Sequence, residues 1–559
     1  MRAKLSDYIE SIIKPISGKW GLNALPKVVC EKPKHYSLGD LSTNIAMQIC
    51  KSAEGLDLLH TAEDIADLLR KGLKDSGFSD LISRVEVKRP GFINFYFSRD
   101  YLRSVISEIS SMSGDFGRPE GVKPKKILIE FVSANPTGPL SVAHGRQAAI
   151  GDVLANILDF AGHKVTREYY LNDDGNQIMV LGKSIHARYC QLVGKPCAFP
   201  DDGYKGGYIY DIARLFIDKY GRDMFEPGEK NISVFCDFGI RHIMEGIRKD
   251  LGDFRVRFDN YYSQRELGGS GKVEDALQEL GQKGLLYEKD SALWFSSTRF
   301  GDDKDRVLRK SDGSYTYITP DIAYHKDKFQ RGYDLLIDLL GPDHHGYISR
   351  MKAACQAIGK DPDALSILII QLVTLSRSGA PVRMSTREGE FISLREVMDE
   401  AGCDVTRFFF LTRRRDSHLD FDFELAKKQS MENPVYYIQY AHARICGILN
   451  NKAKAAGSAR VDDRGRLLSL LDSEEEFDIM RLLREFPQII KSCAATLEPH
   501  LLITYLMELA SGFHSFYAKH RVVSDDVDLS LARLMLIESL KKVFSTALAL
   551  LGVSIPDRM

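Results

Sequence analysis

The run Ile127-Leu128-Ile129-Glu130-Phe131-Val132 constrains this chain more than any other feature, because it is apolar without alternation and broken by a single carboxylate. A half-buried strand alternates. A strand covered on both faces does not, and such strands belong to parallel sheets flanked by helices. The turn-rich Ser133-Ala134-Asn135-Pro136-Thr137-Gly138-Pro139 follows. Then Ile150, Val153, Leu154, Ile157, Leu158 and Ala161 recur at helical spacing until Gly162. Strand, loop and helix open a nucleotide-binding α/β unit. A second unit reads through residues 335–340, the loop Gly341-Pro342-Asp343-His344-His345-Gly346 and a helix stopped by Gly359, and a third strand is predicted over 367–373. About 180 residues separate the first two units, far more than a crossover needs, so residues from about 170 to 305 are expected to be an insertion on this core.

A chain of 559 residues exceeds the ~250 to 300 at which one hydrophobic core stops growing, so several domains are expected. Residues 1–113 read as a small α+β module, with a helical start and strand-like Ile93, Phe95 and Tyr96, ending at a Gly/Pro-rich boundary. Residues 114–425 hold the α/β core. Asp312-Gly313, between 306–310 and 315–318, reads as a hairpin leading back from the insertion. From Asn433-Pro434, a cap followed by a first-turn proline, the stretch 426–559 reads as an all-α bundle.

With 44% hydrophobic and 27% charged residues, the composition is that of a soluble globular protein. The net charge of −1 excludes a global positive field, so any RNA site must be a local patch. Nine scattered cysteines without a C-x-x-C pair fit a reducing, cytoplasmic setting, and Cys190 and Cys197 show no partner histidine at zinc-site spacing and read as inert. The first twenty residues lack the apolar region of a signal peptide, and no run approaches the ~18 to 20 apolar residues of a membrane span.

Two segments carry the chemistry. Between Ala134 and Arg146 a tight loop meets a helix N-terminus bearing His144. Free amides and the helix dipole suit a phosphate there, and the imidazole either donates to it or merely caps the helix. In Arg383-Met384-Ser385-Thr386-Arg387-Glu388-Gly389, two guanidiniums flank small hydroxyl residues, either as a polyphosphate clamp or as a solvated loop. Glu130 inside its strand must pair with something, an internal arginine being one partner, and Asp321 after the hairpin is a second carboxylate in an unusual setting. Adjacent His344 and His345 lack the spacing of a metal site. Tyr437, Tyr440, Ala441 and Arg444, at i, i+3, i+4 and i+7, form an aromatic and basic stripe that either stacks bases or packs as core. Arg413-Arg414-Arg415 either meets phosphates or is solvated.

Residues 130–146 resemble the first signature of class I aminoacyl-tRNA synthetases in its arginyl version, S-A-N-P-T-G-P before H-x-G-H-G-R, and 383–389 resemble the second, K-M-S-T-R-x-G. Further likeness lies in 168–173, 317–321, 341–346, 433–444 and the ending 555–559, so the resemblance spans nearly the whole chain. It departs at Ser141, where the family has histidine, at Ala143, where it has glycine, and at Arg383 in place of lysine. The resemblance implies a class I catalytic core of dinucleotide-binding type, an N-terminal tRNA-binding domain and an anticodon-binding bundle. It implies catalytic roles for Ser141, His144, Arg383, Ser385 and Arg387, ATP contacts from Pro136, Gly138, Ser141, His144, Gly145 and Met384, and an arginine pocket of Glu130, Asn135, Tyr317, Asp321 and His345. Tyr437, Tyr440 and Arg444 would meet tRNA. The implied partners are ATP with Mg²⁺, L-arginine and the arginine tRNA. No tightly bound protein-ligated metal, no membrane and a monomeric state are expected. Two rivals stand beside this reading: a tRNA-binding protein whose site has decayed at Ser141 and Ala143, and a synthetase for another amino acid.

Overall fold

The computed structural model describes residues 1–559 apart from 23, 54, 113, 223–231, 383–391 and 451–463. The N-terminal module is an antiparallel sheet of β1 (Cys30–Glu31), β2 (Leu41–Thr43), β3 (Ile82–Lys88) and β4 (Phe92–Phe97) in the order β1-β2-β4-β3. The Arg2–Ile13 and Leu58–Leu73 helices join its core through Leu5, Ile9, Ile65 and Leu69, and Asp57 starts the second by accepting the His60 amide at 2.7 Å. The Arg99–Ser111 helix, which precedes the boundary expected at 113, buries Leu102, Val105, Ile106 and Ile109 in a different core, the one shared by the central sheet and the C-terminal helices.

The central sheet is parallel. It holds β5 (Lys126–Glu130), β6 (Lys164–Leu171) and β7 (Asn260–Ser263), and, after a small antiparallel sheet of β8 (Leu286–Lys289), β9 (Ala292–Phe295) and β10 (Arg306–Arg309), also β11 (Leu335–Leu340) and β12 (Leu365–Ile369). Its order is β12-β11-β5-β6-β7. The chain therefore starts in the middle, winds outward through β6 and β7, then returns to build the other side. This reversal leaves a crevice beyond the carboxyl ends of β5 and β11, the switch point at which such sheets take ligands. The missing alternation of β5 is explained by two cores. Ile127 and Ile129 face the one filled by the Val142–Phe160 helix, and Leu128 faces the other, with Ile322, Ala323 and Met351.

Three sequence expectations are corrected. The stretch 170–305 is not one insertion, because the chain re-enters the sheet at β7; it makes two excursions, before and after residues 260–263. Residues 367–373 are not one strand. β12 stops at Ile369, and β13 (Val373–Arg377) starts a separate sheet with β14 (Ala380–Pro381) and β15 (Leu419–Asp422), in the order β14-β13-β15. The buried Arg146 guanidinium occupies the break, donating to the carbonyls of Gln371 at 2.8 Å and Ser417 at 2.9 Å. The Asp312-Gly313 turn forms, but its second arm is reduced to a bridge at Tyr315, because Ile318 opens a helix (Ile318–Gln330).

The C-terminal part is helical: Pro434–Asn450, Arg464–Ser469, Glu474–Thr496, His500–Lys519 and Val527–Leu551. Asn433 caps the first, accepting the Val435 amide at 3.1 Å. Arg407 ties bundle to core, donating from one buried guanidinium to Asp152 at 2.6 Å, the Phe254 carbonyl at 2.7 Å and the Leu551 carbonyl at 3.1 Å. Among the described residues no helix is long and apolar enough to cross a membrane.

Candidate active site

The chain leaves β5 through a turn that L-residues rarely adopt: Val132 has φ 68° and Ser133 φ 38°. Each such conformation costs about 1 to 3 kcal/mol unless its surroundings impose it. Here they do. The Ser133 hydroxyl donates to Glu130 Oε1 at 3.0 Å and accepts the Tyr170 amide at 3.0 Å. Tyr169 and Tyr208 hold the loop beyond by donating to the carbonyls of Ala134 and Thr137, each at 2.7 Å. Asn135 is fixed from both ends, its Nδ2 donating to Gln177 at 2.6 Å and its Oδ1 accepting from Asn172 at 3.1 Å. Pro136 is buried, and a side chain at Gly138 would meet the Tyr208 hydroxyl at 3.1 Å.

This loop delivers Ser141 to the N-cap of the Val142–Phe160 helix. His144 Nδ1 accepts the Ser141 amide at 3.2 Å and lies 3.1 Å from the Ser141 hydroxyl. His144 thus does cap, and an accepting Nδ1 leaves Nε2–H as the donor of the ring. Burial lowers its pKa to about 4, so the imidazole is neutral near pH 7. A side chain at Gly145 would stand 2.6 Å from Leu394, so this glycine lets the helix close on the one that starts at Leu394. Arg383, Met384, Ser385 and Arg387 lie outside the described residues, but the chain that follows them is anchored beside Ser141. Ser393 bridges Ser141, the Leu394 amide donates to the Leu140 carbonyl at 2.8 Å, and Ser393 with Glu396 forms a capping box.

Under the other face of β5 lies a row of carboxylates. Parallel register aligns Asp338 of β11 with Glu130 of β5, and Glu130 with Glu168 of β6. The Ile318–Gln330 helix and the residue after it supply the cations. Lys328 Nζ donates to Glu130 at 2.6 Å and to Asp338 at 2.9 Å, and Arg331 forks onto Glu168 at 2.6 and 2.8 Å. Glu130 is therefore paired with a lysine, not with an internal arginine. His325 spans the Asp338 carboxylate and the Asp321 carbonyl, 2.8 Å from each. Burial acts against the charge of Lys328, yet Asp338 and Glu130 hold its pKa above the usual range. Burial likewise acts to raise Asp338, but Lys328 and His325 hold it below. Asp321, in the first turn of the same helix, differs. Burial pushes it up to about 6, Glu130 adds to the rise, and the Tyr347 hydroxyl and nearby cations offset only part.

Of the expected pocket, Glu130, Asn135 and Asp321 stand at this carboxyl edge. Tyr317 does not join them: it stands at the N-cap position of the helix without a side-chain cap bond and is 87% exposed. His345 is also exposed, in the loop after β11. Sequence reasoning missed Lys328, His325, Tyr324 and Tyr347. The available signal was Asp338, a lone carboxylate in an apolar strand like Glu130. In the bundle, Tyr437 packs on His514 (ring centroids 4.7 Å), Tyr440 stacks on Tyr436 at 6.0 Å, and the exposed Arg444 lies over Tyr440 and Tyr517. Arg415 of the basic cluster is not free, since it pairs with Glu498, while Arg413 and Arg414 are exposed. The reading of Cys190 and Cys197 as lacking a histidine is corrected: His186, one helical turn before Cys190, lies against both sulfurs.

Comparison with known proteins places the chain in a family. Residues 107–415 match the family model described as tRNA synthetases class I (R), catalytic domain; residues 3–97 match the arginyl tRNA synthetase N terminal domain, and 438–559 the DALR anticodon binding domain. The chain is 45% identical over 562 residues to the arginine–tRNA ligase of Syntrophotalea carbinolica, covering 100% of both chains, and 47% identical over 539 residues to that of Shouchella clausii, covering 96% of this chain and 95% of the relative. The Thermus thermophilus arginyl-tRNA synthetase shares the fold across the full length of both chains, with a TM-score of 0.77 at 20% identity. With a switch-point crevice, a phosphate-type helix N-terminus and an acidic pocket on one sheet edge, and with matches over its whole length, this chain belongs to the arginyl-tRNA synthetase family of class I.

Proposed function

We propose that the chain activates L-arginine with Mg·ATP and transfers it to the 3′-terminal adenosine of the arginine tRNA, as a cytoplasmic monomer. The arginine carboxylate attacks the α-phosphorus in line and pyrophosphate leaves. The terminal ribose 2′-hydroxyl then attacks the adenylate carbonyl and AMP leaves. No protein nucleophile is required, so the protein contributes positioning and charge stabilisation. The 136–145 loop and helix N-terminus, with His144 Nε2–H, are the phosphate-facing side, and the residue types of Arg383, Ser385 and Arg387 suit a clamp on the same polyphosphate. Glu130 and Asp321 receive the guanidinium, with Asn135 at the α-amino end.

One observation carries the reading for arginine. The Asp321 carboxylate is desolvated beside Glu130 and held at about 6, an arrangement that an entering cation relieves. A planar fork meets two carboxylates bidentately, whereas an ammonium leaves hydrogen bonds unmet. Aminoacylation of purified tRNA with arginine and with lysine tests this. Discrimination of about 10⁴ or more is expected. Comparable charging with lysine overturns the pocket, and absence of any adenylate establishes the decayed-site rival.

A further inference from the structure

The helices between β6 and β7 carry a side-chain cluster that no step of aminoacylation uses. His186 and Cys190 lie one turn apart on the Asn176–Val193 helix, and Cys197 returns over them from the loop that follows. His186 has a sulfur at each ring nitrogen: Nε2 is 3.5 Å from Cys190 Sγ, and Nδ1 is 3.7 Å from Cys197 Sγ. One ligand atom from each residue lies within 4.8 Å of the other two. His186 and Cys190 are buried, and Cys197 is partly open to solvent.

Zinc takes one nitrogen of a ring, so the 3.5 Å from Nε2 to Cys190 Sγ is one edge of a coordination polyhedron, and Cys197 Sγ, now 3.7 Å from Nδ1, has to draw over to the same nitrogen, inside the 4.8 Å that already contains one ligand atom of each residue. A tetrahedron built with Zn–S of about 2.3 Å and Zn–N of about 2.0 Å has N···S edges of about 3.5 Å and S···S edges of about 3.8 Å. A thiophilic divalent cation takes thiolate and neutral imidazole ligands and displaces the thiol protons as it binds. The second thiol–imidazole cluster, His442 with Cys446 and Asp557, is different. There the ring nitrogens already face the Pro556 carbonyl at 3.0 Å and the Ser545 hydroxyl at 3.2 Å, and Lys541 stands 3.7 Å from Asp557.

We propose that His186, Cys190 and Cys197 form a site for a thiophilic divalent cation of the zinc type, with the fourth position open on the Cys197 side. The placement gives such an ion a structural task. The helix bearing His186 and Cys190 includes Gln177, which holds Asn135, and the loop bearing Cys197 leads to the Gly207–Tyr220 helix, whose Tyr208 holds Thr137. The ion would clamp together two helices that brace the phosphate loop.

The full-length protein, reduced with a phosphine and stripped with a chelator, is titrated with Co²⁺ and then Zn²⁺. The expected result is one equivalent bound, with the thiolate-to-cobalt charge-transfer band and intense ligand-field bands of a tetrahedral site, displaced by one equivalent of Zn²⁺. Cys190→Ser and Cys197→Ser should each weaken binding by about 100-fold or more, while Cys446→Ser leaves it unchanged. The reduced protein showing no thiolate-to-cobalt band overturns the proposal, as do bands that persist in both serine variants. If a serine variant fails to fold, Zn²⁺ protection of Cys197 from alkylation in the unsubstituted protein decides, read by peptide mass spectrometry. Protection supports the site and unchanged labelling overturns it.

Discussion

His144 reaches the helix N-terminus with one ring nitrogen already committed, since Nδ1 takes the Ser141 amide at 3.2 Å. Its other nitrogen carries the remaining N–H of the neutral ring. Ser141 contributes three backbone links, its amide donating to His144, its carbonyl accepting the Gly145 amide at 3.0 Å and its bridge to Ser393, and its hydroxyl joins the capping box with His144. An alanine at 141 keeps the three backbone links and loses only the hydroxyl's part. His144→Ala is therefore expected to slow adenylate formation by on the order of 10² to 10³, as loss of one preorganised donor does, and Ser141→Ala by much less. Single-turnover measurements with saturating tRNA check this, and equal losses in the two variants contradict it. Asp321 yields a pH prediction. With its folded pKa raised to about 6, it must lose a proton below that pH before it can pair with a guanidinium. The apparent affinity for arginine should be constant above pH 6 and weaken by about tenfold per unit below it. A KM for arginine that stays flat from pH 7 to about 5 would contradict this.

The acid row belongs to the scale of elements, because no single strand contains it. Asp338, Glu130 and Glu168 come from three strands brought into register, and one helix was needed to place Lys328 between two of them. A buried charge left alone is far more costly than a pair removed together. Lys328→Met should accordingly destabilise the protein by about 3 to 5 kcal/mol, read as a lowered midpoint in urea unfolding. A loss below about 1 kcal/mol would mean that water, not Lys328, satisfies the two carboxylates.

At the scale of the whole molecule, the near-zero net charge hides local structure. Arg481 of the bundle donates to the buried Asp40 of the N-terminal module at 2.7 Å, and Lys32 meets Glu485 at 3.1 Å. Beside these contacts, Lys34, His35, Tyr36 and Arg84 of the module face Glu474, Asp478 and Glu508 of the bundle across a groove of about 910 Å³, so the groove is mixed in charge. On another bundle surface, Arg444 and Tyr440 are stacked rather than buried as core. Exposed cations in separate places, such as Lys34 and Arg444, act on phosphates individually, so tRNA affinity should fall by roughly 10³ between about 50 and 200 mM salt if about six phosphates are neutralised. Filter binding or fluorescence titration measures the slope, and a flat response contradicts an extended RNA interface.

The strands β5 and β11, the tight loop after β5, the helix over it and the helical C-terminal part were legible in the chain. Each is dictated by local periodicity, by a cap or by a glycine, which are properties of neighbours in sequence. Glu130 could be singled out for the same reason, as a charge interrupting an apolar run. Its partner could not, because Lys328 lies 198 positions away and is matched to it only by strand register and helix placement. The same holds for the two excursions around β7, whose four half-buried residues carry no pattern of their own. It holds too for the exposure of Tyr317, decided by where the helix begins, and for His186, whose closeness to Cys197 depends on how a loop folds back over a helix. Local order follows from spacing along the chain, whereas the pairing of buried charges and thiols is settled only when the packed core brings distant segments into contact.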